Sequence, residues 1–169
     1  MKKYSFNKYS NDYKQLFSRE RSKLRKVLPN VKIEHVGSTS IPGLGGKGII
    51  DIAIRIPKSK LSQFMEKLEK LGYESAVDHP VTKTSAFLQE IIKNNGKERR
   101  VHVHLVFDDT FWESFILFRD YLRNHDEVRE EYAGIKKEGV RHAKGEAEKY
   151  RKHKKAFLEK IMRFALKKK

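Results

Sequence analysis

Glu34-His35-Val36-Gly37-Ser38-Thr39-Ser40 leads from a short strand into a turn made of glycine and three hydroxyl residues, and Ile49-Ile50-Asp51-Ile52-Ala53-Ile54-Arg55-Ile56 follows it. In the second segment Ile50, Ile52, Ile54 and Ile56 share one face, and Asp51, Ala53 and Arg55 share the other. A carboxylate set among isoleucines on a central strand needs partners or carries a raised pKa. Asp51 is therefore a candidate functional group; its plain structural role would be to hold the Gly37 turn. At that turn glycine lets the backbone come close to a ligand. Its N–H groups, with Ser38, Thr39 and Ser40, could hold a phosphate. The same residues also read as an ordinary strand-to-helix turn with serine as the cap.

Two better-known glycine motifs fail here. Gly43-Leu44-Gly45-Gly46-Lys47-Gly48 matches GxGxxG, but it precedes a strand instead of following one and opening a helix. A P-loop would need glycine at Ile41 and a hydroxyl residue at Gly48. Lys47 keeps a separate interest, because it stands in this glycine loop within reach of a phosphate at Gly37.

Working outward, Tyr13, Leu16, Phe17, Leu24, Val27 and Leu28 form a helical stripe over 10–28, with Ser10 as the cap and Pro29-Asn30 as the stop. Residues 31–36 and 49–56 are strands, and 59–71 is an amphipathic helix closed by Gly72. Residues 84–92 and 99–107 form a hairpin around Asn95-Gly96. In its second strand His102, His104 and Val106 share a face. Helices follow over about 111–124, 127–139 and 145–166. The order implies one α+β domain with a mixed sheet, its core at about 31–107 and a helical part at about 110–166.

The chain has 169 residues, 38% of them apolar, with ten Phe, seven Tyr and one Trp, enough for a packed core. It has no cysteine, which excludes a disulfide scaffold, a Cys-ligated metal and thiol catalysis. No apolar run nears the ~20 residues of a membrane span. The first residues contain no apolar signal core, so a soluble, cytoplasmic protein with no membrane partner is expected. The net charge of +16 sits at the two ends: residues 1–32 and 144–169 carry +8 each, and the middle is neutral. Packed side by side, such ends would attract polyanions, RNA among them; otherwise they are solvated lysine-rich helices.

A Gly-Ser turn followed by a strand with an inward aspartate resembles the nucleotidyltransferase fold. The longer run Glu34-His35-Val36-Gly37-Ser38-Thr39-Ser40-Ile41-Pro42-Gly43-Leu44, with Lys47 and Ile50-Asp51-Ile52, resembles the GrpB family of that superfamily. His102-Val103-His104-Leu105-Val106, Phe118-Arg119-Asp120-Tyr121-Leu122-Arg123, and the spaced Tyr132, Lys136, Tyr150 and Lys154 extend the likeness over nearly the whole chain. The resemblance implies a nucleotide or other phosphorylated small molecule bound at Gly37, Ser38, Thr39 and Ser40. It also implies a divalent metal, Mg or Mn with Zn as a further option, and transfer of a nucleotidyl group to a small acceptor.

This chain departs from the superfamily's carboxylate pattern. The second carboxylate would fall at Ala53, and the later strand offers His102 and His104 where a third would stand. Metal ligands are then expected from Asp51, His102 and His104, with Glu34 joining if it shares the Asp51 face, and either histidine could serve as base. Alternating residues stand about 7 Å apart along a strand, so the two imidazoles could share an ion only by leaning together. Arg119 and Arg123, at i and i+4, are expected to clamp a phosphate or to pair with nearby carboxylates. Tyr132, Lys136, Tyr150 and Lys154 are expected to line a cleft under the helical tail, or to pack at the core's edge. Two alternatives stand beside the transferase: a catalytically inactive binding module, and an RNA-binding protein using its basic terminal helices.

Overall fold

Period-2 and period-3.6 patterns divide the chain into elements close to those expected. In the computed structural model the described residues are 5–75 and 79–167; Lys2, Lys3, Lys168 and Lys169, counted in the terminal charge, lie outside them. The order is α1 (Asp12–Val27), β1 (Lys32–Val36), a 3₁₀ turn (Ser38–Ser40), β2 (Ile50–Arg55), a second 3₁₀ turn (Lys58–Lys60), α2 (Leu61–Glu69), β3 (Glu74–Ser75), β4 (Ser85–Asn94), β5 (Lys97–Val106), α3 (Asp109–Arg123), α4 (Asp126–Ala143) and α5 (Ala147–Lys167). The five strands form one mixed sheet in the order β1-β2-β5-β4-β3. Only β2 and β5 run parallel; the other neighbours are antiparallel.

The hairpin closes at Asn95 and Gly96, both with positive φ, the conformation a two-residue turn demands. Its strands run up to that turn, further than the apolar alternation reaches, because Lys93, Asn94, Lys97 and Glu98 are polar. β3 was not foreseen: its two residues are exposed and carry no periodicity. Helix α3 begins where the Asp108 carboxylate accepts a 2.7 Å bond from the Phe111 N–H.

Two layers cover the sheet. On one face Ile50, Ile52, Ile54, Val101, Val103 and Leu105 pack against Leu16 and Leu24 of α1, Leu28 just after it, and Phe64 and Leu68 of α2. On the other, Val36, Ala53 and Val106 meet Phe111, Trp112, Phe115 and Ile116 of α3. Helices α4 and α5 then close over the glycine loop, where Ile41 and Leu44 pack with Leu122, Tyr132, Phe157 and Ile161. The basic helices α1 and α5 therefore lie in opposite layers. Within the first layer the buried Tyr73 donates a 2.5 Å bond to the Glu20 carboxylate. Burial, reinforced by that carboxylate, pushes the Tyr73 phenol above its usual range, so it stays the donor. Tyr73→Phe would leave Glu20 buried without this donor. We expect a loss of about 1–3 kcal/mol of folding stability, read from the urea midpoint.

Candidate functional site

Register builds the site. The parallel pairing of β2 with β5 sets Asp51 beside His102 and Ala53 beside His104. Pairing of β1 with β2 sets Val36 beside Asp51 and Glu34 beside Ala53. His102 Nδ1 lies 3.3 Å and His104 Nε2 3.9 Å from the same Asp51 oxygen, so both imidazoles lean toward one carboxylate. Burial alone would raise the Asp51 pKa; bonds to His102 and His104 outweigh it and hold the carboxyl below its ordinary range. Asp51 is therefore ionised. Because a carboxylate only accepts, the His102 hydrogen facing it is on Nδ1. His102 Nε2 is buried and has no hydrogen-bond partner among the described residues. Phe87 lies 4.8 Å from His102 and 5.3 Å from His104, ring to ring, and walls the pair from the β4 side.

Gly37 stands directly on the Asp51 carboxylate, with φ 66°. Its missing side chain is what admits the carboxylate, since a Cβ there would overlap Asp51 Oδ2. The 3₁₀ turn that follows divides its hydroxyls. Thr39 donates to the Ile49 carbonyl at 2.8 Å, so it must accept from His35 Nε2 at 3.0 Å. Ser40 donates to the Gly37 carbonyl at 2.7 Å. Both hydroxyls hold the turn; Ser38, half-buried, faces the glycine loop.

The helical tail brings lysines onto that loop. Lys136, 3% exposed, donates to the Gly45 carbonyl at 2.6 Å. A Cβ on Gly46 would collide with the Lys136 ammonium and lie 2.9 Å from Ser38 Oγ. Lys47 and Lys154 lie over the buried Tyr150 ring, 4.3 and 5.2 Å from its centroid. Burial first, then the charge of Lys154, lowers both Lys47 and Lys136 to about 7, against the opposing pull of Asp51. Lys154 is lowered too, by burial, and is likewise opposed by Asp51. Arg100 and Arg151 add to the field on Lys47. Lys47, Lys136, Tyr150 and Lys154 thus gather at the glycine loop, and the charge of Asp51, under Gly37, acts on all three ammonium groups. Tyr132 is buried in a parallel stack with Phe157 at 4.9 Å.

Arg119 and Arg123 stand apart, toward the β1 edge. Arg119 binds Glu34 at 2.8 Å, Asp120 at 2.7 Å and the His35 carbonyl at 3.1 Å. Arg123 donates Nε and Nη2 to the Ser40 carbonyl at 3.0 and 2.7 Å. These two hold the turn against α3. Glu34 shares the Asp51 face, as the metal reading required, but sits beside Ala53 with its carboxylate bound by Arg119. Sequence reasoning missed Arg100, Arg151 and Phe87, which only the register brings in. It also missed Asn7, whose backbone pairs with Gly46 at 2.7 and 2.9 Å and straps the loop.

The donor set does not fit the carboxylate-bridged pair of hard ions. Ala53 is fully buried in an apolar cluster, and Glu34 is engaged by Arg119. Among the described residues no three His, Asp or Glu side chains form a metal-binding group.

The family model described as GrpB protein matches residues 4–163. A UPF0157 protein of Halalkalibacterium halodurans is 32% identical over 161 residues, 93% of this chain and 80% of that one. A UPF0157 protein of Pseudomonas aeruginosa is 36% identical over 155 residues, 90% of this chain and 63% of that one. The crystal structure of a conserved protein GrpB from Enterococcus faecalis superposes with a TM-score of 0.80 at 30% identity, over 97% of this chain and 98% of that one. A structure of a cytoplasmic RNA terminal U-transferase superposes at 0.51 and 15% identity, over 72% of this chain and 39% of that one, a likeness of fold alone. The sheet that carries Asp51 under the Gly37 turn is nucleotidyltransferase-like, and the chain belongs to the GrpB family.

Proposed function

We propose that this chain binds a phosphorylated small molecule, a nucleotide by preference, with its phosphates between the Gly37–Ser38 turn and the ammonium groups of Lys47, Lys136 and Lys154. One observation carries the reading. Lys136 is buried against the Gly45 carbonyl of the glycine loop that carries Lys47, and Lys47 and Lys154 both lie over the Tyr150 ring, so three ammonium groups converge on one loop. Unliganded, that crowding is unfavourable; a polyphosphate entering it would relieve it. Binding here needs no metal.

Transfer of a nucleotidyl group to a small acceptor is the second reading, and the Asp51–His102 pair favours it. A carboxylate that holds Nδ1–H leaves Nε2 as the basic nitrogen, the arrangement of an oriented general base. RNA held by the basic helices is a third, weakened by their lying in opposite layers.

Thermal melting with nucleoside triphosphates, with and without Mg²⁺, Mn²⁺ or Zn²⁺, separates these. A ligand at 100 times its dissociation constant adds about 2.7 kcal/mol, about 5–10 °C at this chain length. We expect that shift without metal, lost in Lys154→Gln and kept in Asp51→Asn. A shift that requires metal and disappears in Asp51→Asn would replace binding by transfer. No nucleotide shift, with RNA affinity falling steeply in salt, would move the function to the basic helices.

A further inference from the structure

The β1 edge, on the other side of the Gly37–Ser40 turn from Asp51, carries a groove of about 380 Å³. Lys14 and Arg21 enter it from α1, and Arg119 and Arg123 enter it from α3. The two pairs differ in their commitments. Arg119 is held by Glu34 and Asp120, and Arg123 stands 3.6 Å from Asp120. Lys14 and Arg21 have no ion-pair partner among the described residues. Arg21 Nε is buried and meets no hydrogen-bond partner there. The guanidinium as a whole is half-buried and lines the groove, so a ligand there meets its terminal nitrogens.

The floor is of a different kind. Phe17 and His35 stack face to face, 4.6 Å apart and 10° from parallel. Burial lowers His35 to about 4, so the imidazole is neutral and the floor is flat and uncharged. Glu34 also lines the groove, but Arg119 offsets its charge, so the remaining cations beside this floor suit an anion with a small apolar body. The volume lies at the low end of small-molecule sites, which run about 300–1,000 Å³, so it suits one compact group.

We propose that this groove is a second ligand site, taking a small phosphate monoester whose dianion lies between Lys14, Arg21 and Arg123 and whose body rests on Phe17. A dianion answers the two uncommitted cations, which one carboxylate would not. The site is independent of the lysine cluster, although the two share a wall: Ser40 lines the groove and Ser38 faces the lysines.

Calorimetric titration with phenyl phosphate tests it, with inorganic phosphate as the probe lacking an aromatic body. Phenyl phosphate should bind the wild-type chain more tightly than inorganic phosphate. Arg21→Gln should weaken phenyl phosphate about tenfold, the scale of one charge-assisted bond. Lys14→Gln, on an exposed side chain that no core packing depends on, should weaken it roughly threefold, and Lys154→Gln should leave it unchanged. Phenyl phosphate affinity indifferent to both groove variants, or lost in Lys154→Gln, would overturn the proposal. So would a 5′-phosphorylated oligonucleotide binding here far more tightly than phenyl phosphate, which would make the groove part of a nucleic-acid track. If nucleoside triphosphates fail to bind while phenyl phosphate behaves as expected, the lysine site falls and the groove stands.

Discussion

Replacing Gly37 with alanine is expected to lower folding stability by roughly 2–6 kcal/mol and to abolish binding at the lysine site. Two costs combine. The backbone there has φ 66° and ψ −171°, a region open essentially to glycine alone, and forcing another residue into it costs about 1–3 kcal/mol. The new methyl group would also overlap the Asp51 carboxylate, which His102 and His104 hold from the other side. Overpacking of that kind costs about 1–3 kcal/mol more. Typical stabilities are about 5–15 kcal/mol, so the variant would be marginal or unfolded at room temperature. Urea unfolding measures the loss, and a cycle with Asp51→Ala divides it. Shortening Asp51 in the alanine background should restore the overlap share and leave the backbone share. A loss below about 1 kcal/mol for Gly37→Ala alone would mean that Asp51 does not rest on the turn.

Gly37 and Asp51 were legible because their signals are local. A glycine ends one strand, and an aspartate stands on the face of the next opposite its four isoleucines. The Asn95-Gly96 hairpin and the tail helices were legible for the same reason. The parallel pairing of β2 with β5 has no local signal, yet it alone aligns Asp51 with His102. From sequence the two histidines could only be placed on one face; their lean toward a shared oxygen depends on that register. Arg119 and Arg123 have the spacing of a phosphate clamp, but the crossing of α3 over β1 decides that they meet Glu34, Asp120 and the Ser40 carbonyl. Lys136 is the sharpest case. Its spacing from Tyr132 places it at a cleft or at the core's edge, but does not show its ammonium buried against Gly45, because that burial comes from the fit of α4 on the glycine loop.

That burial gives the second large effect, a melting temperature that rises as pH goes from about 7 toward 10 in the ligand-free chain. Lys136 and Lys47 titrate near 7 when folded and near their ordinary 10.5 when unfolded. Below 7 both states hold the protons, and the whole cost of burying the charges is present. Between 7 and 10 the unfolded chain binds more protons than the folded one, so stability increases with pH. Each fully buried group contributes at most about 1.4 kcal/mol per pH unit. Lys136 alone should supply about 2–3 kcal/mol from pH 7 to 9; Lys47 and Lys154, partly exposed and screened, should supply less. Near pH 10 the trend reverses, because Tyr73 and Tyr132 keep their protons in the fold and release them on unfolding. Lys136→Met should flatten the rise, and a flat profile from pH 7 to 9 in the wild type would show that Lys136 is not buried as a charge. A bound polyphosphate should act in the opposite sense. It favours the charged lysines, so binding above pH 7 takes up protons, and the nucleotide-induced shift should shrink as pH rises. Calorimetric titration in two buffers of different ionisation enthalpy counts that uptake directly. Zero uptake at pH 8 would place the phosphates somewhere other than on these lysines.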